Sequence, residues 1–248
     1  MTLKYIKMLS IAAIMLGNVV AVSAQTLRDV SDAYNKADEL LTENNISGAI
    51  TEFEKCLELA IKVGSEADEL RVKAENALPD LFLQKTNKLL ENKNYDEAST
   101  AFGQMISASE KYNSPDVKEK AEPAKKALCK HYYNQGLEAM KQKKFDDALK
   151  SFTRIPEIDD ASGDAYYQIA SCHNYKKSWD NAIANAQKAL KLKTDADAKD
   201  LDKVYYELGT AYAGKKDNGR ACEFFKKVTS PPFLAGAKYQ IETALKCK

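Results

Sequence analysis

The sequence predicts an all-α fold, built from antiparallel helix pairs repeated along the chain, and three observations carry that reading. A glycine sits inside a strong helical run, Tyr205-Tyr206-Glu207-Leu208-Gly209-Thr210-Ala211-Tyr212. Mid-helix glycine costs about 0.8–1 kcal/mol relative to alanine, so its place there needs a packing reason. The same arrangement recurs: a small residue is followed twelve positions later by alanine at Ala37/Ala49, Thr86/Ala98, Gly136/Ala148, Ala170/Ala182 and Gly209/Ala221. Other landmarks move in step. Four residues before the small residue stands Ala33, Phe82, Tyr132, Tyr166 or Tyr205, and sixteen after it stands Phe53, Phe102, Phe152, Ala186 or Phe225. Self-similarity at such a period is the signature of a stacked repeat array.

The elements follow in order. Repeats are expected near residues 30–63, 65–113, 115–160, 163–196 and 202–233, with a closing helix over 233–248 that caps the open end. From Ala49 the equivalent alanines step by 49, 50, 34 and 39 residues. The first two steps therefore carry extra, charged, helix-forming segments, GSEADELRVKAENAL and SPDVKEKAE, which should lengthen the first helices of the second and third copies. Pro79 and Pro123 fall in these helices, and each implies a kink or a fresh start. Ser114-Pro115 reads as a cap and first turn. Ser47, Asp96, Asp146 and Asp180 are expected to cap the second helices, with Gly219 as a weaker cap in the fifth copy. PEIDDASGD, residues 156–164, reads as a loop.

These residues resemble the tetratricopeptide repeat, whose pattern runs aromatic-x-x-Leu-Gly-x-x-Tyr, then Ala, Phe, Ala and Pro. The copy at 202–233 carries Tyr205, Leu208, Gly209, Tyr212, Ala221, Phe225, Pro231 and Pro232, and the copy at 163–194 is nearly as complete. The resemblance implies a right-handed solenoid of about five helix pairs plus a C-terminal capping helix, with the first helix of each pair lining a concave face. The residues it would turn inward are Tyr34, Leu83, Tyr133, Tyr167 and Tyr206, beside Asp38, Asn87, Leu137, Ser171 and Thr210. A tyrosine row with polar neighbours suits a protein or peptide ligand, because each ring offers large area and a polar tip at low entropy cost. The rings could equally serve as packing against neighbouring helices. The lysines, arginines and asparagines with which some members grip a C-terminal carboxylate do not line up here, with Lys130 and Lys141 the nearest candidates.

The chain opens with MTLKYIKMLSIAAIMLGNVVAVSAQT. Lys4 and Lys7 precede a largely apolar run, and Val22-Ser23-Ala24 ends it with small residues, the layout of a secretory signal peptide cleaved after Ala24. The run is shorter than the roughly 20 residues a spanning helix needs. No later stretch is apolar enough to span a bilayer. The mature chain, 25–248, is then expected in the bacterial cell envelope, with the periplasm the favoured compartment. Its near-neutral charge gives no push toward nucleic acid or anionic membrane. The charge is uneven: residues 25–80 hold 13 acids against 6 bases. That asymmetry fits solvated helix faces, or a polarised surface that orients a partner. Five cysteines form no CxxC pair, and an exported chain permits a disulfide, for which Cys222 with Cys247 is the pair to test.

Little in the sequence argues for catalysis. Gly209 to Lys216 nearly spells a phosphate-binding loop, but Lys216 replaces the needed hydroxyl and no strand precedes it. His131 and His173 lie in different repeats, and His173 is expected as a packed, hydrogen-bonded residue. No cofactor, metal or catalytic residue is expected. The leading expectation is a non-enzymatic binding scaffold. The alternatives are an assembly subunit that self-associates or works through its convex face, and an enzyme or small-ligand carrier.

Overall fold

The computed structural model describes residues 26–193 and 197–248, so the segment read as a signal peptide lies outside the described residues. The described chain is all helical apart from its turns. Helix α1 covers 26–42, followed by α2 (Ile46–Val63), a 3-10 turn (Ser65–Ala67), α3 (Asp68–Glu91), α4 (Tyr95–Lys111) and α5 (Pro115–Lys120). Next come α6 (Glu122–Lys141), α7 (Phe145–Ile158), α8 (Gly163–Tyr175), α9 (Trp179–Leu192), α10 (Ala198–Gly214) and α11 (Asn218–Lys226). The chain ends in α12 (Leu234–Tyr239) and a π turn (Gln240–Ala244). It forms two compact units, one ending at Ala124 and the other beginning at Lys125.

Each second helix buries one stripe. In α2 that stripe is Ala49, Ile50, Phe53, Cys56, Leu57 and Ala60, the three-and-four spacing that places side chains on one face of a helix. In α7 it is Ala148, Ser151, Phe152 and Ile155. The residues read as landmarks form the core, with Tyr205 half-buried: Phe53, Phe102, Phe152, Ala186 and Phe225 are all buried, as are Ala49, Ala98, Ala148, Ala182 and Ala221.

The mid-helix glycines have their packing reason. A Cβ at Gly136 would lie 2.6 Å from the Phe152 ring, and one at Gly209 would lie 2.7 Å from the Phe225 ring. Each glycine therefore lets a first helix close onto the phenylalanine sixteen residues later. The fourth pair carries Ala170 with Ala186, and the first two carry Ala37 with Phe53 and Thr86 with Phe102, so this close approach of a glycine to the ring belongs to the third and fifth pairs. Gly214 plays a comparable part, since a Cβ there would meet the Trp179 ring at 2.5 Å. Gly209 and Gly214 are thus helix-packing residues of α10, which accounts for the phosphate-loop likeness.

One kind of turn joins the two helices in all five pairs. It contains a left-handed residue: Asn44, Lys93, Lys143, Lys177 and Lys216 have φ of 57°, 60°, 59°, 58° and 63°. The N–H of that residue donates to the carbonyl three back and the next N–H to the carbonyl five back, as in Lys143 to Met140 and Lys144 to Ala139, both 2.9 Å. This closes the free carbonyls at the end of the first helix.

The capping residues differ from expectation. Helix α2 is capped by Asn45, whose Oδ1 accepts from Gly48 N at 3.0 Å, and α11 by Asp217, which accepts from Arg220 N at 3.1 Å. Ser47, Asp96, Asp146 and Asp180 stand inside the first turn, two residues past the cap. The turn geometry sets the helix start earlier than the side-chain pattern suggested. The three aspartates still complement the helix N-terminus. Asp146 and Asp180 also ion-pair with Lys176 and Lys215, at the end of the next first helix.

Pro79 lies buried within the 24-residue α3, and Pro123 follows the break between α5 and α6. Pro115 stands at the first turn of α5, with Ser114 as N-cap but without a side-chain capping bond. The stretch 156–164 is less of a loop than expected: α7 runs through Pro156 to Ile158, and α8 starts at Gly163. Pro156 enters the helix near its end, on a half-buried face.

Candidate functional site

The expected inward residues divide between the two units. In unit one, Tyr34 is half-buried, its ring edge-on to Phe53 at 5.3 Å. Burial raises its pKa, with the neighbouring Asp38 adding to the effect. Asp38 and Asn87 are exposed. Leu83 is only 7 % exposed and belongs to the core of unit one, so it offers little surface to a ligand. The reason is its helix: in the lengthened α3, Leu81, Phe82 and Leu83 are all buried, so this turn is covered on more than one side.

Unit two carries the rest on α6, α8 and α10. Tyr133 is half-buried, its ring edge-on to Phe152 at 5.7 Å, and its hydroxyl accepts a 3.0 Å hydrogen bond from Gln168 Nε2. Tyr206 repeats that geometry on Phe225 at 5.5 Å, with Phe233 of the C-terminal segment 5.4 Å away. A Cβ at Gly236 would lie 2.9 Å from the Tyr206 hydroxyl. The same phenylalanine thus serves the glycine crossing and the tyrosine beside it. Tyr167 has Ala186 where the others have phenylalanine, and it sits deeper. Burial pushes its pKa well above the ordinary phenol range, with Glu207 contributing. Lys203 Nζ stands 5.3 Å from its ring. Lys203 also pairs with Asp164 and Asp200, both at 2.9 Å, while Lys193 reaches Asp164 at 2.8 Å. Leu137 and Thr210 are half-buried.

Between α8 and α10 lies a polar cluster that the spacing argument missed. Glu207 is 8 % exposed and Asn174 7 %. Asn174 Nδ2 donates to Glu207 Oε2 at 2.5 Å and to the Glu207 carbonyl at 2.9 Å. Burial raises the Glu207 pKa, and hydrogen bonds from Asn174 and Ser171 work against that shift. Ser171, expected to face a ligand, is therefore buried with this carboxyl. The signal available in the sequence was an acid inside the apolar run Tyr-Tyr-Glu-Leu. A second buried acid, Asp202 at the start of α10, accepts from Thr229 N at 3.1 Å, Ser230 N at 2.7 Å and Ser230 Oγ at 2.6 Å. It anchors the chain that leaves α11.

His173 departs from its expected role in one respect. Its Nδ1 is buried without a hydrogen-bond partner, and burial lowers its pKa. Cys222 and Cys247 form a disulfide, with Cα atoms 5.8 Å apart, while Cys56 and Cys172 are buried free thiols. Among the described residues no three His, Cys, Asp or Glu side chains gather as metal ligands, and no helix is long and apolar enough to cross a membrane.

The family model for the tetratricopeptide repeat matches residues 33–60 and 202–230, within the first and fifth helix pairs. No curated protein matches the chain. Among solved structures, the chain is similar to a crystal structure of MamA, at 16 % identity over 87 % of this chain and 95 % of that one, with a TM-score of 0.36. It is similar to the TPR2AB-domain:pHSP90 complex of yeast Sti1, at 16 % identity over 86 % and 95 %, with a TM-score of 0.38. It is also similar to YrrB, described as a TPR protein with an unusual peptide-binding site, at 18 % identity over 86 % and 87 %, with a TM-score of 0.36.

Proposed function

As a chain of tetratricopeptide repeats, this protein is, we propose, a non-enzymatic scaffold that holds a protein or peptide segment against the first helices of unit two. The observation that carries the reading is the set Tyr133, Tyr167 and Tyr206, one per repeat on α6, α8 and α10. Tyr133 and Tyr206 keep part of their rings open to solvent while their inner edges rest on Phe152 and Phe225. Rings fixed in this way lose little further freedom on binding, so their area converts efficiently into affinity. Tyr167 is the more enclosed and serves mainly to hold α8 and α10 together. On this reading the scaffold acts in the bacterial envelope, in the periplasm, and the signal-peptide layout of residues 1–24 supports that location.

Photocrosslinking in cells tests the reading. A photoreactive residue at Tyr133 or Thr210 should capture one dominant protein, and the same probe at Lys188, exposed on α9, should not. Capture of a dominant protein from Lys188 alone would move the binding surface to the second helices and sink the tyrosine-row proposal.

A further inference from the structure

The two units carry nearly equal and opposite charge. Residues 26–124 hold 20 acids against 12 bases, a net of −8, and residues 125–248 hold 16 acids against 23 bases, a net of +7. The charges are also placed. In unit two, all three turns between paired helices put an exposed lysine at the left-handed position, Lys143, Lys177 and Lys216. Unit one has Asn44 and Lys93 at the same positions. Asparagine or glycine fills that conformation with less strain, so the turn's own geometry gives lysine no advantage. Among the described residues none of the three unit-two ammonium groups has a carboxylate within ion-pair range, whereas their neighbours Lys176 and Lys215 are paired. Three equivalent turns thus carry three unneutralised cations along one edge of unit two.

Unit one has a surface of matching chemistry. Where the start of α3 meets α1, a depression of about 620 Å³ is lined by Leu27 and Leu70, by three acids, Asp32, Glu66 and Glu69, and by one cation, Arg28. Asp32 and Glu69 have only exposed intrahelical partners, Arg28 at 3.8 Å and Lys73 at 2.6 Å, contacts that exchange readily with solvent. A lysine entering this depression could lay its aliphatic stem on the leucines while its ammonium meets the carboxylates.

We propose that the chain assembles with copies of itself, the lysine-bearing turns of unit two of one copy docking on the acidic depression of unit one of the next. The contact joins two different surfaces, so it is heterologous and propagates head to tail unless the rotation closes a ring. It uses neither the tyrosine row nor its ligand, and it stands independently of that reading.

Sedimentation velocity on the protein, purified as the cell leaves it, tests the proposal. At about 20 mM salt the average mass should rise with protein concentration, and at about 500 mM salt it should return to that of one chain, because screening shortens the reach of surface charge. The triple variant Lys143→Glu, Lys177→Glu, Lys216→Glu should weaken self-association at least tenfold. The unit-one variant Asp32→Lys, Glu66→Lys, Glu69→Lys should do the same. All six positions are exposed, in turns or on open helix faces, and circular dichroism checks that each variant keeps its helices. Mixing the two variants should restore association, since each then offers the charge the other lacks. Three results would overturn the proposal: a single-chain mass at every salt and concentration, undiminished assembly of the lysine variant, or failure of the mixture to associate. Binding of the wild type to vesicles of anionic lipid without self-association would also overturn it, and would assign the lysine edge to a membrane surface instead.

Discussion

At the scale of single residues, Glu207 is the group whose chemistry sets a measurable property. It is a carboxyl at 8 % exposure whose hydrogen bonds with Asn174 and Ser171 do not offset the loss of water. Its folded pKa lies above the roughly 4.3 of an unfolded glutamate, so the folded state binds the proton more tightly. The stabilisation this gives is full below the unfolded value and is lost as pH rises through the folded one. Stability of unit two should therefore decline as pH rises from the acid range through that higher value. Glu207→Gln should flatten the decline and leave the protein more stable than the wild type at neutral pH, read as urea midpoints across pH. A variant with the wild-type pH profile would show that another group governs it. Asp202 has the opposite sense. Burial alone would raise its pKa, but hydrogen bonds from Ser230 and Thr229 outweigh burial and hold it low, so its contribution is present above the unfolded value and lost only as pH falls through the lower folded one.

At the scale of elements, helix starts are set by the shared turn. The left-handed residue fixes the chain direction, and the next residue becomes the N-cap whether or not its side chain can accept a backbone hydrogen bond. Those residues are Asn45, Asn94, Lys144, Ser178 and Asp217. Asn45 makes the side-chain bond, at 3.0 Å to Gly48 N. Asn45→Ala should thus cost about 1 kcal/mol in equilibrium unfolding. Asn94→Ala, whose side chain makes no such bond, should cost clearly less. Equal losses would mean that the turn, and not the cap, limits these helices. The same logic explains why Ser47 and the aspartates were misplaced by two residues: acids in the first turn and acids at the cap are both favourable, so residue type alone does not tell them apart.

At the scale of the whole molecule, the described chain divides into two compact units, and the end of the second is covalently tied. The Cys222–Cys247 disulfide closes a loop with a sequence separation of 25 residues and holds the segment after α12 onto α11. Loop-closure entropy for that length corresponds to about 3.5 kcal/mol. Reduction should lower the unfolding midpoint of unit two and speed amide exchange in α11 and α12, with exchange in α2 and α4 unchanged. Unaltered exchange in α11 after full reduction would show that Phe233, Gly236 and the Asp202 bonds hold the end without the disulfide.

The sequence alone determined the helix pairs, their core and the reason for the glycines, because those depend on side-chain size at fixed spacing along a helix. Gly136/Ala148 and Gly209/Ala221 could be read from the sequence as close crossings, whereas only the structure shows that the rings the glycines admit are Phe152 and Phe225. The tyrosine row was legible as positions but not as surface. Leu83 and Ser171 share the register of their neighbours, yet Leu83 is drawn into the core of unit one and Ser171 into the Glu207 cluster. Tertiary structure alone decided those fates, because burial of a residue depends on what the next repeat places against it. It alone also brought Glu207 to Asn174, residues 33 apart in sequence. Periodicity reports which face a residue occupies on its own helix, whereas a hydrogen bond across two helices depends on their rotation and spacing, which no single helix encodes.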